Sequence, residues 1–118
     1  MTDPNSEVEK IFGECLKIIK DKNHDYASED DPYKNFRMVE EIGIPAWVGC
    51  HIRFMDKVSR MNRFVDRLQR DGAAEIKNEP IEDTFLDAIN YLAIGLDLFR
   101  QQRGRNDRGL DARRQAGE

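Results

Sequence analysis

Acidic and amide side chains recur one helical turn apart in the stretch from Glu82 to Tyr91. On a helix, Asp83, Asp87 and Asn90 share one face, because residues three and four apart are neighbours. Magnesium prefers oxygen ligands and often links a few carboxylates to substrate phosphates. This spacing therefore predicts a site for magnesium and phosphate. The structural alternative is a pair of aspartates favoured by the helix dipole and bridged to arginines of the long helix, such as Arg60 or Arg63.

Two other clusters could meet a ligand. Asp56, Lys57 and Arg60 place two cations within one turn of each other, and cations suit phosphate groups. The alternative is an ordinary surface pair of Asp56 and Arg60. The other cluster follows the first predicted helix and consists of Lys22, Asn23, His24, Asp25 and Tyr26. A lysine at a helix C-terminus is favourable without any ligand, so this cluster alone does not specify a site.

The elements that would position these residues are helices. Apolar residues recur at steps of three and four, and no strand pattern occurs. Ser6 with Glu9 has capping-box spacing, Pro45 suits a first turn, and Gly43 and Gly72 are typical helix stops. We therefore predict an all-α bundle of three to four main helices. Their predicted limits are residues 6–23, 36–42, 45–70 and 81–103.

Two predicted helices carry long apolar rows. The row on the last helix is Phe85, Ile89, Leu92, Leu96 and Phe99. The long helix, predicted at residues 45–70, is the third of the four and is labelled α3. Its row, hereafter the α3 seam, is Trp47, His51, Phe54, Val58, Met61, Val65 and Leu68. Such a seam predicts packing on another helix, in the same chain or in a second copy, so we expect a homo-oligomer. Trp47 and His51 are interpreted as packing residues of this seam.

Composition limits the possible functions. The 118 residues fit one domain, predicted at residues 1–103, and residues 104–118 have so few apolar side chains that we predict a disordered tail. A net charge of −4 argues against bulk nucleic-acid binding. No signal peptide or membrane-spanning run occurs, and Cys15 and Cys50 look like buried thiols, so we expect a cytoplasmic protein.

Four motifs occur in a fixed order along the chain. They are Lys22-Asn23-His24-Asp25-Tyr26, Asn35-Phe36, Asp56-Lys57-x-x-Arg60 and Glu82-Asp83-x-x-x-Asp87-x-x-Asn90-Tyr91. Together they resemble the small all-helical nucleotide-modification-associated domain of bacteriophage proteins, over roughly residues 10–98. That family is similar to the MazG-like all-α nucleoside triphosphate pyrophosphatases. Those enzymes hold magnesium on a triphosphate with carboxylates of two neighbouring helices, and water cleaves between the α and β phosphates.

The resemblance implies a magnesium-dependent nucleoside triphosphate pyrophosphohydrolase of phage nucleotide metabolism or DNA modification, located in the host cytoplasm. Asp83 and Asp87 would be catalytic. The implied Mg²⁺ ligands are Asp56, Glu82, Asp83 and Asp87. The implied nucleotide contacts are Lys22, His24, Asp25, Tyr26, Lys57, Arg60, Asn90 and Tyr91. Tyr26 or Tyr33 could stack on the base.

Two alternatives remain open. A nucleotide-binding or sequestering module without catalysis would use the same cations and tyrosines. A helical assembly protein would use the α3 seam.

Overall fold

A computed structural model describes residues 4–25, 33–72 and 81–115. These residues contain helices and no strand, which confirms the predicted all-α bundle for this part of the chain. The elements are α1 (Pro4–Asp25), α2 (Lys34–Arg37), a 3₁₀ helix (Met38–Ile42), α3 (Ala46–Asp71) and α4 (Ile81–Gln115). Within the described ranges, none of the helices has an apolar stretch that would reach across a lipid bilayer.

The helix stops were readable from glycine and proline. Pro45 precedes α3, and Gly72 follows its last residue. Gly43 ends the 3₁₀ helix with φ of 82°. Only glycine adopts this left-handed conformation without steric cost, which is why the chain turns at this position.

The limits of the first and last predicted helices differ from the structure. Helix α1 begins at Pro4 rather than near Ser6, because proline fits a first helical turn, and it continues to Asp25. Helix α4 continues to Gln115, so residues 104–115, predicted as a disordered tail, are helical. One glycine costs a helix only about 1 kcal/mol, so Gly104 does not end it. Residues 73–80, between α3 and α4, lie outside the described residues.

Helices α3 and α4 form an antiparallel pair. The rings of Trp47 and Phe99 meet edge to face at 5.7 Å, and further along α3 the Cys50 Sγ donates to the Tyr91 carbonyl oxygen at 3.1 Å. Rising numbers on α3 thus meet falling numbers on α4. The buried centre consists of Ala46, Cys50 and Leu98. Around it lie the half-buried side chains of Tyr33, Phe36, Trp47, Tyr91 and Ile94.

The short segment 33–42 lies across this helix pair. A Cβ atom on Gly49 would lie 3.0 Å from Val39 Cγ2 and 3.1 Å from the Phe36 carbonyl oxygen, so the segment approaches α3 closely only because Gly49 has no side chain. On the α4 side, the Phe36 and Tyr91 rings meet edge to face at 6.0 Å. The segment is therefore clamped between both long helices.

Polar contacts hold the same segment on the distal half of α4. The Tyr33 hydroxyl donates to Asp97 Oδ2 at 2.9 Å, and Arg37 Nη2 donates to Gln101 Oε1 at 2.7 Å. Because the Tyr33 hydroxyl donates a hydrogen bond to Asp97, Tyr33 has a structural role here. Its predicted stacking on a base stays a prediction.

The predicted apolar rows are covered unevenly. On α1, Cys15 is buried, but Val8, Ile11, Phe12 and Leu16 are each at least 41% exposed. On the α3 seam, Phe54, Val58 and Met61 are half-buried, whereas His51 is exposed and therefore is not a core histidine. The described part of the chain thus leaves much of each row exposed.

Gly49→Ala should destabilise the protein, although alanine is the better helix former. The new Cβ would meet the backbone of the 33–42 segment, and such overpacking costs about 1–3 kcal/mol. Gly13→Ala in α1 is the matched control, because nothing lies within 4 Å of its added Cβ, and it should gain up to about 1 kcal/mol. Urea unfolding followed by circular dichroism measures both. Equal signs for the two variants would contradict the close approach at Gly49.

Stability should depend on the protonation of Cys50. Burial raises the pKa of this thiol from 9.0 to about 11, because the thiolate would lose its hydration. A raised folded-state pKa stabilises the fold fully below about pH 9, and the gain is lost as pH rises toward 11. Between about pH 9 and pH 10, the wild-type unfolding free energy should fall by up to about 1.4 kcal/mol more than that of Cys50→Ser. Parallel pH curves would contradict the buried thiol.

Candidate functional site

The antiparallel register of α3 and α4 brings two of the predicted site residues into contact. Lys57 Nζ lies 3.0 Å from Asp87 Oδ2, and their side chains are 14% and 27% exposed. Asp87 is thus bridged to a cation of the long helix, as the structural alternative anticipated. That cation is Lys57, so the suggested arginine partner, Arg60 or Arg63, is wrong. Lys57 lies 10 residues after Trp47 on α3 and Asp87 lies 12 residues before Phe99 on α4, so the two side chains lie at similar heights along the antiparallel pair.

Because both side chains of this ion pair are mostly buried, removing one partner would leave the charge of the other poorly compensated. An exposed pair is worth about 0–1 kcal/mol, whereas removing one partner of a buried pair leaves an uncompensated charge and costs about 3–5 kcal/mol. Lys57 and Asp87 lie between these limits. The ammonium group needs either this carboxylate or another anion in the same place.

Asn90 lies one turn beyond Asp87 on α4. The residue is 7% exposed, and its Nδ2 has no hydrogen-bond acceptor among the described residues. A buried donor without an acceptor destabilises the fold by about 1–3 kcal/mol, and most buried polar groups in folded proteins have a hydrogen-bond partner. The Asn90 amide nitrogen is therefore available to an oxygen atom from outside the described residues.

Helix α1 contacts α4 beside Asp87. The Cys15 Sγ lies 3.8 Å from the Leu86 carbonyl oxygen, one residue before Asp87. Burial raises the pKa of the Cys15 thiol, and the carboxylates of Glu14 and Asp87 raise it further. Because only the thiolate is a strong nucleophile, Cys15 acts as an uncharged packing residue beside Asp87 rather than as a reactive group. We call Lys57, Asp87, Asn90 and Cys15 the three-helix site.

Several predicted residues lie outside this group. Five of them have exposed side chains: Lys22, Asp56, Arg60, Glu82 and Asp83. Tyr91 packs on Phe36 and accepts from Cys50 through its carbonyl group, so its contacts are structural. His24 and Asp25 end α1, but their side chains lie outside the described residues, as does all of Tyr26. The ligand contacts implied for these three remain predictions.

The predicted magnesium ligands do not form a preassembled set. Among the described residues, no group of three or more His, Cys, Asp or Glu side chains could hold a metal ion. Asp87 Oδ2 is engaged by the Lys57 ammonium, while Asp56, Glu82 and Asp83 are exposed. The arrangement does not fit a preformed magnesium site, so we derive no step through the ion. Magnesium dependence stays a prediction.

Comparison of the chain with family models, curated proteins and solved structures found no match. The resemblance to phage nucleotide-modification-associated domains therefore rests on the four motifs alone. Functional inference must come from the chemistry of the three-helix site.

Sequence reasoning missed two residues of this region. Thr84 is buried near the start of α4, and Cys15 contacts α4 beside Asp87. Cys15 had a visible signal, since it lies in the apolar row of α1. The contact of Cys15 with α4 could not be predicted, because the apolar residues of α1 do not specify which helix packs against them.

Asp87→Asn should destabilise the protein by about 1–3 kcal/mol, because Lys57 would keep a mostly buried charge without a counterion. Asp83→Asn is the matched control, one turn away and exposed, and should change stability by less than about 0.5 kcal/mol. Urea unfolding of both variants measures the difference. If the two variants behave alike, the Lys57–Asp87 pair does not stabilise the fold.

Proposed function

We propose that this protein binds a nucleotide at the three-helix site. The observation that carries the proposal is the buried Asn90 Nδ2, which has no acceptor among the described residues and lies one turn from Asp87, the partner of a mostly buried lysine. A nucleotide offers the complementary groups, since its phosphate, sugar and base oxygens all accept hydrogen bonds. Binding would satisfy a donor for which the described residues supply no acceptor.

The cations near the site suit the phosphate end of a nucleotide. Lys57 carries three donors, of which one is directed at Asp87 in the structure. Arg60 lies three residues further along α3 and is exposed, so its guanidinium can reach solvent-facing oxygens. A phosphate would compete with the Asp87 carboxylate for Lys57 and so replace one anion by another.

Magnesium-dependent pyrophosphohydrolysis is the second candidate. The observation in its favour is that Asp83 and Asp87 lie one turn apart on α4 and that Asp83 is exposed to solvent. Magnesium often links a few carboxylates to phosphates, and it would supply charge neutralisation and an activated water there. This candidate requires Asp87 to hold the ion, whereas binding alone requires only that Lys57 exchange the Asp87 carboxylate for a phosphate. Phage nucleotide metabolism or DNA modification, and a cytoplasmic location, belong to the proposal on the strength of the motifs.

Asn90→Leu should separate ligand binding from structural duty. Replacing a buried, unsatisfied amide by an apolar side chain of similar size should leave unfolding free energy unchanged or raised. Nucleotide affinity should fall about 10- to 100-fold, the equivalent of one charge-assisted hydrogen bond. Calorimetric titration with the four deoxynucleoside and four ribonucleoside triphosphates, with and without magnesium, measures affinity. Asn62→Leu, at an exposed position of α3, is the matched control.

The same titrations distinguish the two candidates. Pyrophosphate release that requires magnesium and disappears in Asp83→Asn would establish hydrolysis. Affinity without pyrophosphate release would establish a binding module. If no triphosphate binds at millimolar concentration, or if Asn90→Leu binds like the wild type, the three-helix site is not a nucleotide site.

A further inference from the structure

The apolar row on α4 is exposed over most of its length in the described part of the chain. Phe85, Leu92, Leu96 and Phe99 are between 41% and 55% exposed, although they lie on the central helix of the fold. Ile89 between them is half-buried. We call these five residues the α4 stripe. It faces away from the three-helix site, because Asp87, Asn90 and Leu98 occupy the opposite, covered side of the helix.

The α4 stripe has the spacing of a coiled-coil seam. Steps of three and four residues alternate without interruption from Glu82 to Arg103, through all five apolar residues. A seven-residue repeat keeps one face of a helix on a neighbouring helix over its whole length. From Phe85 to Phe99 the stripe is about 21 Å long, at 1.5 Å per residue.

The order of residues along this seam is the same from both ends. Leu92 is central, an aliphatic residue follows on each side, then a phenylalanine, then a charged residue. The sequence of positions is Glu82, Phe85, Ile89, Leu92, Leu96, Phe99 and Arg103. Two copies of such a face, turned end to end, match residue for residue, as a two-fold interface requires.

Charge selects the antiparallel orientation. Glu82 and Asp83 are exposed at the start of the seam, and Arg100 and Arg103 are exposed at its end. The Arg103 guanidinium carbon lies 5.8 Å from the centre of the Phe99 ring, which holds it beside the stripe. A parallel pair would set acid against acid and arginine against arginine. An antiparallel pair sets each acidic end against the other copy's arginines.

We propose that two copies of this chain associate through their α4 stripes, antiparallel and about a two-fold axis at Leu92. The exposed apolar area of the stripe is on the order of 400 Å² per copy, within the range of the largest patches on monomers. The flanking charged side chains extend the buried face toward the roughly 600–800 Å² per partner of a specific interface. The α3 seam is then mainly an internal surface, since its half-buried middle packs within the chain. The association does not depend on nucleotide binding.

Light scattering after gel filtration tests the association. Wild-type protein at tens of micromolar should have twice the monomer mass of 13.7 kDa. Leu92→Glu places two carboxylates at the axis and should give the monomer mass with unchanged helical circular dichroism. Ile42→Glu is the matched control at the most exposed apolar residue, 76% exposed, and should keep the doubled mass. A monomeric wild type, a dimeric Leu92→Glu or a monomeric Ile42→Glu would each overturn the proposal.

Cysteine cross-linking tests the orientation without altering the stripe. In the antiparallel pair Glu82 of one copy faces Arg103 of the other, so oxidising a mixture of Glu82→Cys and Arg103→Cys should yield the mixed disulfide. Neither variant alone should cross-link, because its two copies would lie about 31 Å apart, far beyond the 7 Å that a disulfide spans. The native Cys15 and Cys50 are buried and do not compete. Cross-linking of either variant with itself would overturn the antiparallel arrangement.

Discussion

The close contact between α3 and α4 is the interaction on which the other features depend. The centre of this contact is occupied by a small side chain, the thiol of Cys50. It is fully buried and donates to a main-chain carbonyl of α4. Gly49 and Ala46 on the same stretch keep α3 thin, so the 33–42 segment can approach from the other side. Once this point of contact is fixed, the antiparallel direction determines every later pairing along the two helices, including that of Lys57 with Asp87.

The elements followed from local patterns, and their neighbours did not. Pro45, Gly43 and Gly72 set helix limits through backbone conformation, which a single residue controls, so these limits were predictable. The end of α4 depended instead on whether Gly104 would outweigh the good helix formers around it. Such a balance of about 1 kcal/mol is too small to read from sequence.

The site was predictable in part for a related reason. The spacing of Asp87 and Asn90 showed that they share a helix face, and the continuation of that face with Ile94 and Leu98 indicated that it is buried. The partner of Asp87, 30 residues away along the chain, depended on the register between α3 and α4, and that register follows from packing at Cys50. A choice between Lys57, Arg60 and Arg63 needs that register, because all three are cations on one helix.

Burial on the two sides of α4 is opposite to a simple amphipathic arrangement. The side with the aspartate and the asparagine is covered, while the side with two phenylalanines and two leucines faces outward. A helix normally covers its most apolar face, since apolar burial is the main favourable term in folding. The proposed ligand would account for the covered polar groups, and the proposed second copy would account for the open apolar side.

The shape of the single chain has a hydrodynamic consequence. The molecule measures 66 × 33 × 32 Å and has a radius of gyration of 19.0 Å. A compact chain with that radius would contain about 290 residues, more than twice the number present. One copy should therefore diffuse and sediment like an elongated rod and elute from a sizing column ahead of compact proteins of equal mass. Translational friction reports the length of this molecule, and only a measurement of mass reports how many copies travel together.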